Sequence, residues 1–189
     1  MIRIGILGDI GSGKSFVARG FGYPVFDADK EVAKIYKGDK RVFEKLKKVF
    51  PDFISSFPID KQEISNAILH KKNNLKKIVK IVHIEVRRRM VSFLRINKNR
   101  KIVILDIPLL LENKINKKSD ILIFVDSKKK DILRRLVKRK NFNIKLFNLL
   151  KQIQLSPKIK KKRSHFILKN NFKKKSVKND IKRIINKIL

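Results

Sequence analysis

The 189-residue chain has no cysteine and no tryptophan, only seven glycines and five prolines, and sixteen acidic residues against fifty Lys and Arg. Without cysteine there is neither a disulfide framework nor a thiolate zinc site. No apolar run approaches the ~18 residues that a membrane span needs. The N-terminus enters an apolar run at once, leaving no room for a signal peptide. These absences predict a soluble, cytoplasmic protein of one domain with small insertions, long enough to bury a substantial core.

The scarcity of acidic residues leaves a net charge of +34, a balance that usually suggests nucleic acid. Here the basic residues are dispersed, Lys dominates over Arg, and no basic patch is interleaved with aromatics. Lys, Ile and Asn abound throughout, as an AT-rich genome would write them at permissive surface positions. Compositional drift therefore ranks first, a basic surface that attracts polyanionic small substrates second, and dedicated nucleic-acid binding third. The expectation is no specific nucleic acid, no membrane and a monomer.

Glycine is rare, yet three of the seven fall within Gly8-Asp9-Ile10-Gly11-Ser12-Gly13-Lys14-Ser15. This stretch satisfies G-x-x-x-x-G-K-[ST] in full. Its glycines let the backbone turn N–H groups inward around an anion, and Lys14 can reach the β- and γ-phosphates of a nucleotide. The Ser15 hydroxyl can ligate Mg²⁺, and the helix starting there points its positive end at the phosphates. The context fits: Ile2 to Leu7 reads as a buried strand, and Ser15 to Phe21 as a short helix closed by Gly20 or Gly22.

Beyond the loop, strands alternate with helices. Strands are expected at 23–26, 101–106, 119–125 and 166–168. Helices are expected at 30–37, 40–50, from Asp60 to about His70, and at 74–96, 128–140, 144–155 and 176–189. Asp60 with Glu63 reads as a capping box. Leu75, Ile78, Val79, Val82, Val86, Met90, Phe93 and Leu94 form one stripe of the long helix. Lys158 to Lys162 and Lys173 to Lys175 read as exposed lid or loop surface. Strands separated by helices predict an α/β fold: three layers, a parallel sheet flanked by helices on both faces.

Two carboxylate sets end predicted strands. Ile102 to Leu105 deliver Asp106, which in phosphate-loop enzymes supports Mg²⁺. Asp27 and Asp29 end the second strand, where an open sheet presents catalytic groups, and phosphoryl transfer to an alcohol needs a carboxylate to orient the hydroxyl and take its proton. Asp27 can equally cap the following helix. There is no Asn-Lys-x-Asp guanine-reading motif, and Asp106 is followed by Ile, not Glu. A GTPase and an ATP-driven motor are thereby disfavoured, and a small-molecule kinase fits best. A nucleoside or nucleotide kinase, and a basic nucleic-acid-binding protein that holds ATP as a structural ligand, stay open as alternatives.

The phosphate loop, Asp27-Ala28-Asp29 with Val32-Ala33-Lys34, His83 with Arg87, Asp106-Ile107-Pro108-Leu109-Leu110-Leu111-Glu112, Arg135-x-x-x-Arg139, Gln154 and Asn170 follow one another in this order. In that respect the chain resembles the dephospho-CoA kinases over nearly its whole length. The resemblance implies transfer of the γ-phosphoryl of ATP to the ribose 3′-hydroxyl of dephospho-CoA, with Mg²⁺. It implies a phosphate-loop kinase core at about 1–34, 98–134 and 166–189, a helical CoA-binding insertion at about 35–97, and a lid at about 135–165. By position, Asp9, Ile10, Gly11, Ser12, Gly13, Lys14, Ser15 and Phe16 would hold ATP, joined by Arg139 from the lid. Asp29 would be the base, with Lys14 on the transferring phosphoryl. Asp27, Asp29, Lys61, His83 and Arg87 would meet the acceptor, and Ser15 and Asp106 the metal. On residues alone, His83 and Arg87 one turn apart are equally a surface pair. The chain departs from the family pattern at Asp9 (usually Gly), Phe16 (usually Thr), Ile84 (usually Pro), Lys61 (commonly Arg), and Lys158 and His165 (usually acidic).

Overall fold

The computed structural model describes residues 1–71, 73–138 and 142–189. In chain order the elements are β1 (Ile2–Gly8), α1 (Lys14–Gly20), β2 (Val25–Asp27), α2 (Ala28–Gly38), α3 (Lys40–Val49), α4 (Lys61–His70), α5 (Asn74–Ile96), β3 (Ile102–Asp106), β4 (Ile121–Asp126), α6 (Lys129–Val137), α7 (Ile144–Gln152), α8 (Pro157–Lys162), β5 (Phe166–Lys169) and α9 (Lys174–Ile188). The chain divides into two compact units.

The first unit, residues 1–27, 96–142 and 151–189, holds the sheet. Its order is β2-β3-β1-β4-β5, every pair is parallel, and helices flank it. The central strands are apolar almost without interruption, as strands buried on both faces must be. Ile4, Ile6, Ile102, Ile104, Ile123, Val125 and Leu168 pack with Val17, Ala18 and Phe21 of α1 and Val177, Ile181 and Ile184 of α9. Gly5 interrupts the run because a Cβ there would stand 2.5 Å from Leu110 and 2.9 Å from Leu122.

At the amino end of this sheet Arg3 and Asp120 form a buried pair. Arg3 Nη2 donates to Asp120 Oδ2 (3.0 Å), while Nε lies 2.9 Å from Oδ1 without the alignment of a hydrogen bond. At the β4–β5 edge His165 extends the ladder: its N–H donates to the Leu122 carbonyl (2.8 Å), and its Nδ1 accepts the Leu122 N–H (2.9 Å).

The second unit, residues 28–95 and 143–150, is helical. Leu75, Ile78, Val82, Val86 and Met90 of α5 are buried, as the stripe predicts. Asp60 caps α4 by accepting the Gln62 N–H at 2.8 Å, but Glu63 does not close a capping box. Its carboxylate instead accepts the N–H and hydroxyl groups of Ser55 and Ser56. Burial alone would raise the Glu63 pKa, but these bonds outweigh it and hold the carboxyl below its usual range. A side chain tying down the preceding loop wins over one reaching back to its own helix end.

Within the same unit, Arg89 of α5 reaches Glu31 of α2 (3.2 Å) and Glu85 of its own helix (3.2 Å), while Arg88 reaches Glu85 at 2.8 Å and Lys34 reaches Glu31 at 2.6 Å. Burial pushes both carboxyls up, and the surrounding cations more than offset it, so both sit below the ordinary glutamate value. This lattice links α2 to α5.

Two further expectations need correction. Strand β2 ends at Asp27 and helix begins at Ala28, so Asp29 lies in the first turn of α2 and not on the strand. Residues 158–162 belong to α8, and although Lys158 and Lys162 are exposed as expected, Lys160 is only 2% exposed. Lys160 Nζ meets Glu112 Oε1 (2.9 Å) and Gln154 Oε1 (3.1 Å), and the Leu155 N–H donates to the same Glu112 oxygen (2.8 Å). Pairing is what makes burial of that ammonium tolerable.

Candidate active site

β1 runs straight into the glycine loop and α1 begins at Lys14. Gly11 and Gly13 have φ of 83° and 87°, left-handed values that a side chain would strain. The loop closes on itself through Ser12 N–H to the Asp9 carbonyl (3.2 Å), and α1 starts with Val17 N–H to the Gly13 carbonyl (3.1 Å). Lys14 Nζ donates to the carbonyls of Asp9 (2.9 Å) and Gly8 (3.4 Å), so the ammonium lies over the loop. Asp9 spends its carboxylate locally, accepting the N–H of Ile10 at 2.8 Å. Ser15 and Phe16 follow in the first turn of α1, both partly buried.

Asp106 is the last residue of β3, 4% exposed, and its register partner on β2 is Asp27. Two carboxylates thus stand side by side at the carboxyl end of neighbouring strands. β3 also pairs with β1, the strand that feeds the loop. Asp27 lies 3.9 Å from Arg19 of α1.

The helical unit carries Asp29, Lys61, His83 and Arg87. Asp29 is exposed in the first turn of α2, a position where the helix dipole favours negative charge. Lys61 is the exposed first residue of α4. His83 is half-buried on α5; burial, and then the charge of Arg87 one turn on, lower its pKa. Arg139 lies outside the described residues. Among the described residues no group of three or more His, Cys, Asp or Glu could hold a metal ion by itself, and no helix is long and apolar enough to cross a membrane.

Residues 2–176 match the family model for dephospho-CoA kinase. The chain belongs to the dephospho-CoA kinase family. It is 36% identical over 190 residues to the dephospho-CoA kinase of Wolbachia pipientis wMel, covering 98% of this chain and 97% of that one. Among solved structures, the Thermus thermophilus protein TT1252 is similar with a TM-score of 0.77 and 27% identity, over 100% of this chain and 98% of that one. The Campylobacter jejuni dephospho-CoA kinase shares the fold, with a TM-score of 0.63 at 21% identity over 98% of this chain and 96% of that one. A dephospho-CoA kinase family member is a phosphotransferase, and the parallel sheet with its phosphate loop is a fold this chain shares with those solved structures.

Three features of this family member are not readable from its sequence. Ser127 Oγ and Asn170 Nδ2 both donate to the carbonyl of Ser12, at 2.9 and 2.8 Å. Arg135 places its guanidinium carbon 4.2 Å from the centre of the Phe172 ring, with Phe172 itself at φ 62°. Glu112 and Lys160 form the buried pair described above. Only Asn170, Arg135 and Glu112 carried any signal, through the resemblance; Ser127, Phe172 and Lys160 sit in stretches indistinguishable from ordinary surface.

Proposed function

We propose that the protein transfers the γ-phosphoryl group of ATP to the ribose 3′-hydroxyl of dephospho-CoA, giving coenzyme A and ADP. The observation that carries this reading is the strand register that sets Asp106 beside Asp27, with Asp106 on the strand next to the one that delivers the phosphate loop and Asp27 one strand further out. Residues 9–16 hold the ATP phosphates through inward N–H groups, and Lys14 supplies charge to the transferring group. Asp29 orients the acceptor hydroxyl and takes its proton as O3′ bonds to the γ-phosphorus and the bridge to the β-phosphate breaks. Asp27, Lys61, His83 and Arg87 contact the acceptor, and Arg139 reaches the ATP phosphates. The helical insertion at about 35–97, which carries Lys61, His83 and Arg87, binds the CoA part of the acceptor.

Mg²⁺ suits the donors offered here, because a serine hydroxyl at the start of α1 and a strand-end carboxylate on β3 are hard oxygen ligands. Ser15 and Asp106 would hold it, and it would neutralise charge developing on the phosphates. We place the reaction in the cytoplasm, with the protein acting as a monomer.

The test is ADP release with and without dephospho-CoA, on the wild type and on Lys14→Ala. Release should depend on dephospho-CoA and collapse in the variant while its fold persists. Release that ignores dephospho-CoA, or a well-folded Lys14→Ala protein of normal turnover, refutes the reading.

A further inference from the structure

We infer that Ser127 and Asn170 are positioning residues that aim the Gly13 N–H into the phosphate loop by gripping the carbonyl of Ser12, resting on residues 8–15 as the ATP-phosphate cradle proposed above. Ser12 is 1% exposed, and its carbonyl accepts from Ser127 Oγ (2.9 Å) and Asn170 Nδ2 (2.8 Å). Two donors use both lone pairs of one oxygen. The Ser12 hydroxyl is also buried but makes no hydrogen bond among the described residues, so its backbone holds the residue in place.

A trans peptide is planar, with its C=O and the following N–H pointing in opposite directions. Drawing the Ser12 carbonyl outward towards Ser127 and Asn170 therefore drives the Gly13 N–H the other way. Gly13 sits at φ 87° immediately before α1, where an inward N–H is available to an anion held by the loop. Glycine permits the opposite arrangement at similar cost, with the same peptide flipped and an oxygen facing the phosphates. The grip is what separates the two.

Asn170 is itself held from three sides. Its N–H donates to the Asp126 carbonyl at 2.7 Å, and its Oδ1 accepts the Phe172 N–H at 2.9 Å. Because Oδ1 must face that donor, the amide is assigned unambiguously and Nδ2 faces Ser12. A Cβ at position 13 would lie 2.4 Å from Asn170 Nδ2, so the glycine is needed for this approach as well as for its φ. Ser127 directly follows β4 and Asn170 directly follows β5. β4 and β5 thus support the loop on the side of β1 opposite β3, the strand that ends in Asp106. Both positioning residues act on the loop from behind.

The experiment measures dissociation constants for ATP, for adenosine and for dephospho-CoA in the wild type, Ser127→Ala, Ser127→Thr, Asn170→Ala, the Ser127→Ala/Asn170→Ala double variant and Lys14→Ala, with the melting temperature of each. Loss of one donor should weaken ATP binding about 3- to 10-fold. The double variant should lose more than the product of the singles, because either donor alone still restrains the peptide. Adenosine and dephospho-CoA should bind as before, and Ser127→Thr should retain wild-type ATP affinity. The inference is overturned if the double variant binds ATP within about twofold of wild type while Lys14→Ala does not, and equally if affinities for ATP, adenosine and dephospho-CoA fall in parallel. If Lys14→Ala also binds ATP and turns over normally, the cradle reading fails first.

Discussion

Removing one partner of the Glu112–Lys160 pair should destabilise the sheet unit far more than removing any other lysine among the described residues. Lys160 Nζ has two acceptors at 2.9 and 3.1 Å and its side chain is 2% exposed, with Glu112 at 9%. Glu112 Oε2 is already buried without a hydrogen bond among the described residues. Lys160→Met keeps the aliphatic stem but leaves the carboxylate with one backbone donor, Leu155 N–H at 2.8 Å. Stranding a buried charge in this way costs about 3–5 kcal/mol. At about 2–4 °C per kcal/mol for a chain of this size, the melting temperature should fall by roughly 6–20 °C. The double variant Lys160→Met/Glu112→Leu removes both charges and should recover most of the loss. Differential scanning calorimetry supplies the comparison, with Lys162→Met on the exposed side of α8 as the control. If Lys160→Met melts within about 1 °C of Lys162→Met, the pair is not a buried electrostatic contact and its account here is wrong.

Asp29→Asn should cut turnover by roughly 10²–10⁴-fold with little change in ATP affinity, whereas Asp27→Asn should be milder in single-turnover rates. Normal turnover in Asp29→Asn with a dead Asp27→Asn would reverse the assignment. His83 is held below its ordinary pKa of 6.5 by burial and by Arg87. The unfolded chain therefore takes up the proton first on acidification, and stability rises with pH. The wild type should lose stability relative to His83→Gln as the pH falls through about 6.5, levelling off below the folded value, with parallel curves above about pH 7. Denaturant midpoints across that range check it, and a constant offset from about pH 8 to pH 5 would contradict it.

Elements whose burial repeats along the chain were legible. The apolar runs of β1, β3 and β4 and the stripe of α5 leave no other assignment, and the glycine loop announces itself because its backbone demands glycine. Asp29 was assigned one element too early because β2 passes into α2 with no intervening turn residues to mark the change. Glu63 misled for a different reason. The spacing for a capping box was present, but two serines brought near by the fold offered it four donors instead of one. Lys160 could not have been read at all: its neighbours Lys158, Lys161 and Lys162 are chemically identical to it, and only the helix turn decides which of them points at Glu112. The grip on Ser12 is invisible for the same reason, since it joins residues 115 and 158 positions apart.

His165 offers a vantage point of another kind. By accepting the Leu122 N–H, its Nδ1 replaces a backbone oxygen in the ladder, so the ring proton must reside on Nε2. The chain has only three histidines, and the other two, His70 and His83, lie in the helical unit. Nitrogen-15 labelling of histidine alone would therefore give a spectrum of three rings, with one resonance recording whether β5 is zipped to β4. That strand leads within five residues to Asn170, so a single imidazole signal can follow, in solution and during turnover, the edge of the sheet that carries one of the two donors behind the phosphate loop.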